Sequence, residues 1–200
     1  FSHGGETARG WCKAELWHDG KWVSVETSLL SRTWEGARTN LQQGYVIALG
    51  VNDRAAVENG AYSGGIGSLA DIQPDFNNNA DTFIGWYAGV IQRIKSVQPK
   101  AKIFCVTIPV GSFGNNSYEH ISFAIKSVCE NQGCYLIDLE KYQKEDNNEG
   151  YFLNSHGSAM GYLRYAYIVN TYIDWIIRTH ADEFRDSALI GTQYTAEFVA

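Results

Sequence analysis

Two short and predominantly apolar runs constrain the fold of this chain more than any other feature. They are Tyr45 to Leu49 and Ile103 to Val110. Both are shorter than the roughly 18 residues that a membrane-spanning helix needs. Neither shows the polar alternation of a strand with one face in water, and such runs are typical of strands buried on both faces of a parallel sheet. The sequence therefore predicts a buried parallel sheet, with a third strand at Tyr135 to Leu139.

The segments around these strands have the spacing of amphipathic helices. We expect helices at about residues 79–97, 117–130 and 158–178. The first has its apolar residues on one face: Phe83, Tyr87, Ile91 and Ile94. Alternation of strands and helices favours right-handed crossovers and a three-layer α/β/α architecture. We expect one domain spanning residues 1–200, because a chain of this length forms a single substantial core.

The remaining segments are less regular in pattern. Phe1 to His3 has the pattern of a strand end that leads into a helix from about Glu6 to Leu16. Residues 17–43 are ambiguous, with some helix. Val51 to Asn78 is rich in glycine and is predicted to be a long loop, a kind of segment that is often functional in compact domains.

Composition excludes several classes of function. The net charge of -6 disfavours a general binder of nucleic acid or of anionic membranes. No stretch is long and apolar enough to span a bilayer. The four cysteines lack the spacing of a metal site, so we expect neither a metal nor another cofactor. Cys129 and Cys134 either close a small disulfide loop or remain free thiols, while Cys105 lies in an apolar strand as a buried thiol.

Ligands of parallel α/β sheets bind where the strands reach their carboxyl ends, and three polar segments follow predicted strands there. Gly50-Val51-Asn52-Asp53 is either an ordinary turn or a source of an amide donor for a developing oxyanion. Gly4-Gly5-Glu6-Thr7 is either a turn or a loop whose backbone N–H groups approach a ligand. His156 is either a helix-capping residue or a general base.

Together these three segments resemble the blocks of the SGNH hydrolases, the GDSL-like esterase and lipase family. Gly4-Gly5-Glu6-Thr7 resembles the second block, Gly50-Val51-Asn52-Asp53 the third, and the segment from His156 to Tyr162 the fourth. The resemblance spans nearly the whole chain, and residues 171–178 resemble a bacterial branch. It implies a flavodoxin-like fold and serine-type ester hydrolysis. His156 would be the general base, Gly5 and Asn52 would donate to the oxyanion, and Asp53 would support Asn52.

Two features depart from the family pattern. The Gly-Asp-Ser block with the nucleophile, and the first strand before it, are absent from these 200 residues, so we expect the nucleophile upstream of Phe1 and little activity from this chain alone. The position three residues before His156 is Leu153, where the family usually has Asp. Either a backbone carbonyl or another carboxylate, such as Glu149, would then orient the imidazole.

The resemblance implies an ester substrate, with a small acyl group such as acetyl on a carbohydrate or small molecule as the leading expectation. Five tryptophans either pack in the core or form a platform for sugars: Trp11, Trp17, Trp22, Trp34 and Trp86. One alternative is a non-catalytic carbohydrate-binding or scaffold protein with the same fold. Another is a flavodoxin-like cofactor binder, which Glu6 in the first loop disfavours. The sequence leaves compartment and oligomeric state open.

Overall fold

The predicted parallel sheet is present in the computed structural model, which describes residues 4–24, 34–109, 118–142, 151–153 and 156–190. Its strands are β3, β4 and β5, all parallel and in that order across the sheet. The described strands are β1 Glu15–His18, β2 Lys21–Ser24, β3 Gly44–Ile47, β4 Lys102–Val106, β5 Tyr135–Ile137, β6 Phe152–Leu153 and β7 His156–Gly157. The described α-helices are α1 Ala8–Lys13, α2 Trp34–Thr39, α3 Val51–Glu58, α4 Phe83–Val97, α5 Glu119–Asn131, α6 Leu139–Tyr142, α7 Ala159–Thr179 and α8 Ala181–Phe184.

Helices cover both faces of the sheet, which confirms the mixed α/β class and its layered arrangement. Ile103 and Cys105 of β4 point into a core shared with α1, α4 and α5. Phe104 and Val106 point the other way and pack with Ile176 of α7. The central strand β4 is therefore apolar at nearly every position because both its faces are buried.

β3 lies at the edge of the described sheet and is less covered than β4. Val46 pairs in register with Phe104, so both side chains lie on the face that α7 covers. Phe104 is 5% exposed, whereas Val46 is 50% exposed. The α7 layer thus covers β4 and leaves part of β3 open to solvent.

The helix predicted around residues 79–97 is confirmed, with its apolar stripe buried. It begins after Thr82, whose hydroxyl accepts the Gly85 N–H at 2.9 Å. This bond satisfies one of the N–H groups that the first turn of a helix leaves without a partner. The helix ends at Val97, two residues before Pro99.

The sequence predicted one long loop over residues 51–78, and this prediction was wrong. α3 occupies the first eight of them, and it starts as soon as the chain leaves Gly50. Gly50 has a φ of 130°, a backbone conformation that permits this sharp turn and that other residues rarely adopt. Asn52 and Asp53 therefore lie in the first turn of a helix.

Residues 15–24 form a β-hairpin, where the sequence had predicted the end of a helix and the start of the ambiguous segment 17–43. β1 and β2 pair antiparallel, with Trp17 opposite Trp22. Asp19 and Gly20 form the connecting turn with φ values of 47° and 76°, which is the Asp-Gly signal for a two-residue hairpin turn. The preceding helix is shorter than predicted because Ala14 adopts a left-handed φ of 55° and ends α1.

Five of the six tryptophans lie in buried or partly buried positions, whereas Trp175 of α7 is exposed. Trp11 is buried, and four others are partly buried against the same core: Trp17, Trp22, Trp34 and Trp86. All five therefore contribute to the packing of this core. Within the described ranges, no helix combines the length and apolarity needed to cross a membrane. The strand end expected at Phe1 to His3 lies outside the described residues.

Candidate active site

Two segments that are far apart in sequence meet at the carboxyl end of β3. The side-chain amide of Asn52 donates to the backbone carbonyl of Glu6 at 3.0 Å. The carboxylate of Asp53 accepts the backbone N–H of Ala8 at 2.8 Å. The structure therefore brings together two of the three segments that the sequence singled out. Asn52 is exposed and uses one amide hydrogen on Glu6, and the second has no partner among the residues that the structure describes.

Glycines shape both segments. Gly5 has a φ of 80°, which strains a residue with a side chain even though a Cβ there would meet no atom within 4 Å. At Gly50 a Cβ would also lie 3.0 Å from Ile121 and 3.2 Å from Ile108. Of these two glycines, Gly50 is the one where a side chain would also crowd its neighbours, while backbone conformation favours glycine at both positions.

Asp53 is the link between α1 and α3. Its side chain is fully buried, and the oxygen that binds the Ala8 N–H also accepts the Tyr62 hydroxyl at 2.6 Å. Burial raises the pKa of Asp53 to about 6, and the bonds from Tyr62 and Ala8 partly oppose that rise. Asp53 is thus placed to hold Asn52 against the Gly5 segment.

Glu6 is a second carboxyl next to this link. Burial raises its pKa to about 7, a backbone hydrogen bond from Thr7 opposes the rise, and the nearby charge of Asp53 adds to it. One carboxyl oxygen of Glu6 and one of Asp53 are buried and accept no hydrogen bond within the described part of the chain. Neutralising either group therefore relieves a cost of keeping both charges out of water.

Tyr62 was not identified from the sequence. It lies in the glycine-rich segment after α3 and is almost fully buried. The ring of Trp22 stacks on it with centroids 5.8 Å apart, and the Trp22 indole N–H donates to the Ala61 carbonyl at 3.2 Å. The hairpin thereby holds Tyr62 against Asp53. The one sequence signal was a large aromatic residue within an otherwise small and polar segment.

His156 lies on a separate element. It belongs to β7, is exposed, and pairs with Leu153 in the short β6–β7 hairpin. Two residues later Ser158 begins α7, where its hydroxyl accepts the Gly161 N–H at 3.1 Å. The bonds that join Glu6 and Ala8 to Asn52 and Asp53 do not include His156, and its place in the site remains a prediction. Glu149 lies outside the described residues.

A groove of about 390 Å³ runs along the open edge of β3 and reaches Glu6. Trp11 and the strand residues Tyr45 and Val46 line it, together with Val90 and Ile94 of α4. The groove therefore connects the free edge of the sheet with the loop that precedes α1. In the part of the chain that the structure describes, no group of three or more His, Cys, Asp or Glu side chains is arranged to hold a metal ion.

Comparison of the sequence with known proteins gives no match. No family model matches this chain, and no curated protein sequence matches it. Among solved structures, the crystal structure of an acetyl xylan esterase, AlAXEase, is similar, with 19% identity and a TM-score of 0.49. The match covers 72% of this chain and 73% of that one. The α/β fold class stated above comes from the strands and helices of this chain itself.

Replacing Tyr62 with Phe should destabilise the protein. The change leaves the ring in place and removes the hydroxyl that donates to Asp53. Loss of a hydrogen bond to a charged group should lower the free energy of unfolding at pH 8 by about 1.5–3 kcal/mol, measured by urea denaturation. Tyr87→Phe is the matched control, because Tyr87 is equally buried but is not bonded to Asp53. An equal loss in both variants would contradict a specific role for Tyr62.

Stability should fall as pH rises from about 4 to 8. The pKa values of Glu6 and Asp53 are higher in the folded chain than their ordinary values of 4.5 and 3.8, so folding binds protons and favours low pH. For the fully buried Asp53, the rise to about 6 corresponds to a loss of about 3 kcal/mol on ionisation. Unfolding free energies across this range should decrease less steeply in Glu6→Gln. Glu130→Gln, which removes an exposed carboxyl from α5, should keep the original slope.

Proposed function

We propose that this chain provides the oxyanion-binding side and the general base of a serine-type ester hydrolase of the SGNH kind. The observation that carries the proposal is the pair of hydrogen bonds that joins Glu6 and Ala8, just after Gly5, to Asn52 and Asp53 at the carboxyl end of β3. Amide and backbone N–H groups that converge on one point outside a sheet are what acyl-transfer chemistry requires. The resemblance of the same segments to SGNH blocks supports this assignment.

In the proposed reaction a serine hydroxyl attacks the ester carbonyl carbon, and His156 takes the hydroxyl proton. The negative charge that develops on the carbonyl oxygen is held by the Gly5 N–H and the free amide hydrogen of Asn52. His156 then returns the proton to the leaving alcohol. Water, activated by His156, hydrolyses the acyl-enzyme and releases the acid.

The proposal places the serine on a strand, outside residues 1–200, that pairs with the open edge of β3. Two features support this position. Val46 is half exposed although parallel strands are normally covered on both faces. The groove of about 390 Å³ along β3 also reaches Glu6, so a strand there would end close to the Gly5 segment.

We further propose a small acyl group, with acetyl as the leading candidate, carried by a carbohydrate or another small molecule. This part of the proposal rests on the resemblance to the SGNH family. An apolar lid suited to long acyl chains is not evident in the segment after α3, where residues 59–82 are largely polar and glycine-rich.

Asn52→Ala should lower kcat for acetyl-ester hydrolysis by about 100- to 1,000-fold, because the amide acts mainly on the transition state. KM should change much less. Asn59→Ala is the matched control, since Asn59 caps the other end of the same helix and its side-chain amide donates to the Ala55 carbonyl at 2.8 Å. Both variants should be assayed with 4-nitrophenyl acetate in the natural full-length protein. An unchanged kcat in Asn52→Ala would remove Asn52 from the oxyanion site.

His156→Ala should abolish turnover and strongly slow labelling by a fluorophosphonate, because the serine loses its base. The labelled residue, located by peptide mass spectrometry, should lie outside residues 1–200. His120→Ala, on α5, should keep activity and labelling. Full activity of His156→Ala, or a labelled serine within these residues, would overturn the proposed arrangement. Retained binding of carbohydrate without labelling would favour a non-catalytic protein.

A further inference from the structure

Two cysteines at the end of α5 are held next to each other by the way the helix ends. Gly133 adopts a left-handed φ of 60°, and its N–H donates to the Glu130 carbonyl at 3.1 Å. The N–H of Cys134 donates to the Cys129 carbonyl at 2.9 Å. These two bonds form the Schellman motif, which brings residues 129 and 134 next to each other. The thiol of Cys129 also donates to the Cys134 carbonyl at 3.3 Å.

A third thiol lies against this pair. Cys105 is fully buried in β4, where it is paired in register with Leu136 of the adjacent strand. Its side chain interacts with those of Cys129 and Cys134. Three sulfurs from α5, β4 and the segment before β5 therefore occupy one site. No disulfide joins them.

The three thiols differ in exposure and in electrostatic surroundings. Cys134 is partly exposed, whereas Cys105 and Cys129 are buried. The hydrogen bond from Cys105 lowers the pKa of Cys134 despite its partial burial, and the Lys95 ammonium contributes in the same direction. Lys95 is held there by a hydrogen bond to the Gln132 carbonyl. Accessibility and thiolate character thus coincide at Cys134, as they do at reactive cysteines.

We propose that Cys134 is an oxidation site and that Cys129 resolves the oxidised form as a disulfide. A hydroperoxide is the oxidant. The Cys134 thiolate attacks one peroxide oxygen and the O–O bond breaks. Cys134 becomes a sulfenic acid, and the hydroxide or alkoxide that leaves is protonated to water or an alcohol. The Cys129 sulfur then attacks the Cys134 sulfur, displaces hydroxide and loses its proton, so that a second water forms. Two thiols lose two electrons, and the peroxide gains them.

The choice of Cys129 follows from the helix end rather than from thiol acidity. The Schellman motif holds residues 129 and 134 next to each other in space, so a disulfide between them would not require the helix end to unfold. Cys105 instead acts through its thiol hydrogen, which stabilises the Cys134 thiolate. This site lies on the face of β4 opposite α7, and the inference does not depend on ester hydrolysis.

The test is oxidation of the reduced full-length protein with hydrogen peroxide, followed by alkylation under denaturing conditions and peptide mass spectrometry. We expect one disulfide between Cys129 and Cys134, with Cys12 and Cys105 alkylated. In Cys129→Ser, dimedone should trap a sulfenic acid at Cys134, and in Cys134→Ser neither product should form. Cys12→Ser should behave as the parent, because the Cys12 pKa is raised to about 12, chiefly by burial.

The rate at which Cys134 reacts with peroxide in Lys95→Gln provides a second test, which keeps all four cysteines in place. Removal of the ammonium should slow the reaction of Cys134 with peroxide severalfold at pH 7 and shift its pH profile upward. A disulfide from Cys134 to Cys105, or a sulfenic acid at another cysteine, would overturn the assignment. So would a Cys134 that reacts with peroxide no faster than Cys12.

Discussion

The candidate site depends on one buried carboxylate. Asp53 accepts the first helical N–H of α1 and the hydroxyl of Tyr62 on the same oxygen, and it lies next to Asn52. Besides this bridge, the hydrogen bond that the described residues show between the loop before α1 and the first turn of α3 is the exposed one from Asn52 to Glu6. A single ionisable group thus ties the start of α1 to the helix turn that carries Asn52, and with it the two segments from which we propose the oxyanion donors.

Such a bridge is costly, and the surrounding structure partly offsets the cost. Asp53 is out of contact with water, and Glu6 adds a second carboxyl close to it. Two hydrogen bonds to one oxygen and the stacked pair Trp22 and Tyr62 fix the geometry. Buried charge next to exposed donors is a local conflict of the kind that functional sites tolerate. The proposed ester hydrolysis would use this rigidity to keep its donors in place before the substrate binds.

Helices and strands whose formation depends on local sequence could be predicted from the sequence. The strand at residues 102–106 and the helix at 83–97 follow from apolar runs and helical spacing, because burial on both faces or on one face selects those residues. The two segments around Gly5 and Asn52 were located because parallel strands end at the same edge. Asp19-Gly20 also had a local signal, a hairpin turn, which was overlooked. Tyr62 had almost none, since its partner Asp53 is set by tertiary packing.

The open edge of β3 has a consequence for any strand that pairs with it. Asn52 follows β3 after only four residues, so the position of β3 largely sets the position of the Asn52 amide. Side chains alternate between the two faces of a sheet, and a displacement of one residue along the strand exchanges them. The register of the pairing with β3 would therefore decide which face of the sheet each side chain occupies. Only every second register would place a given side chain on the face where it is needed. The backbone hydrogen bonds between the two strands would therefore position that side chain as strictly as the contacts within the site.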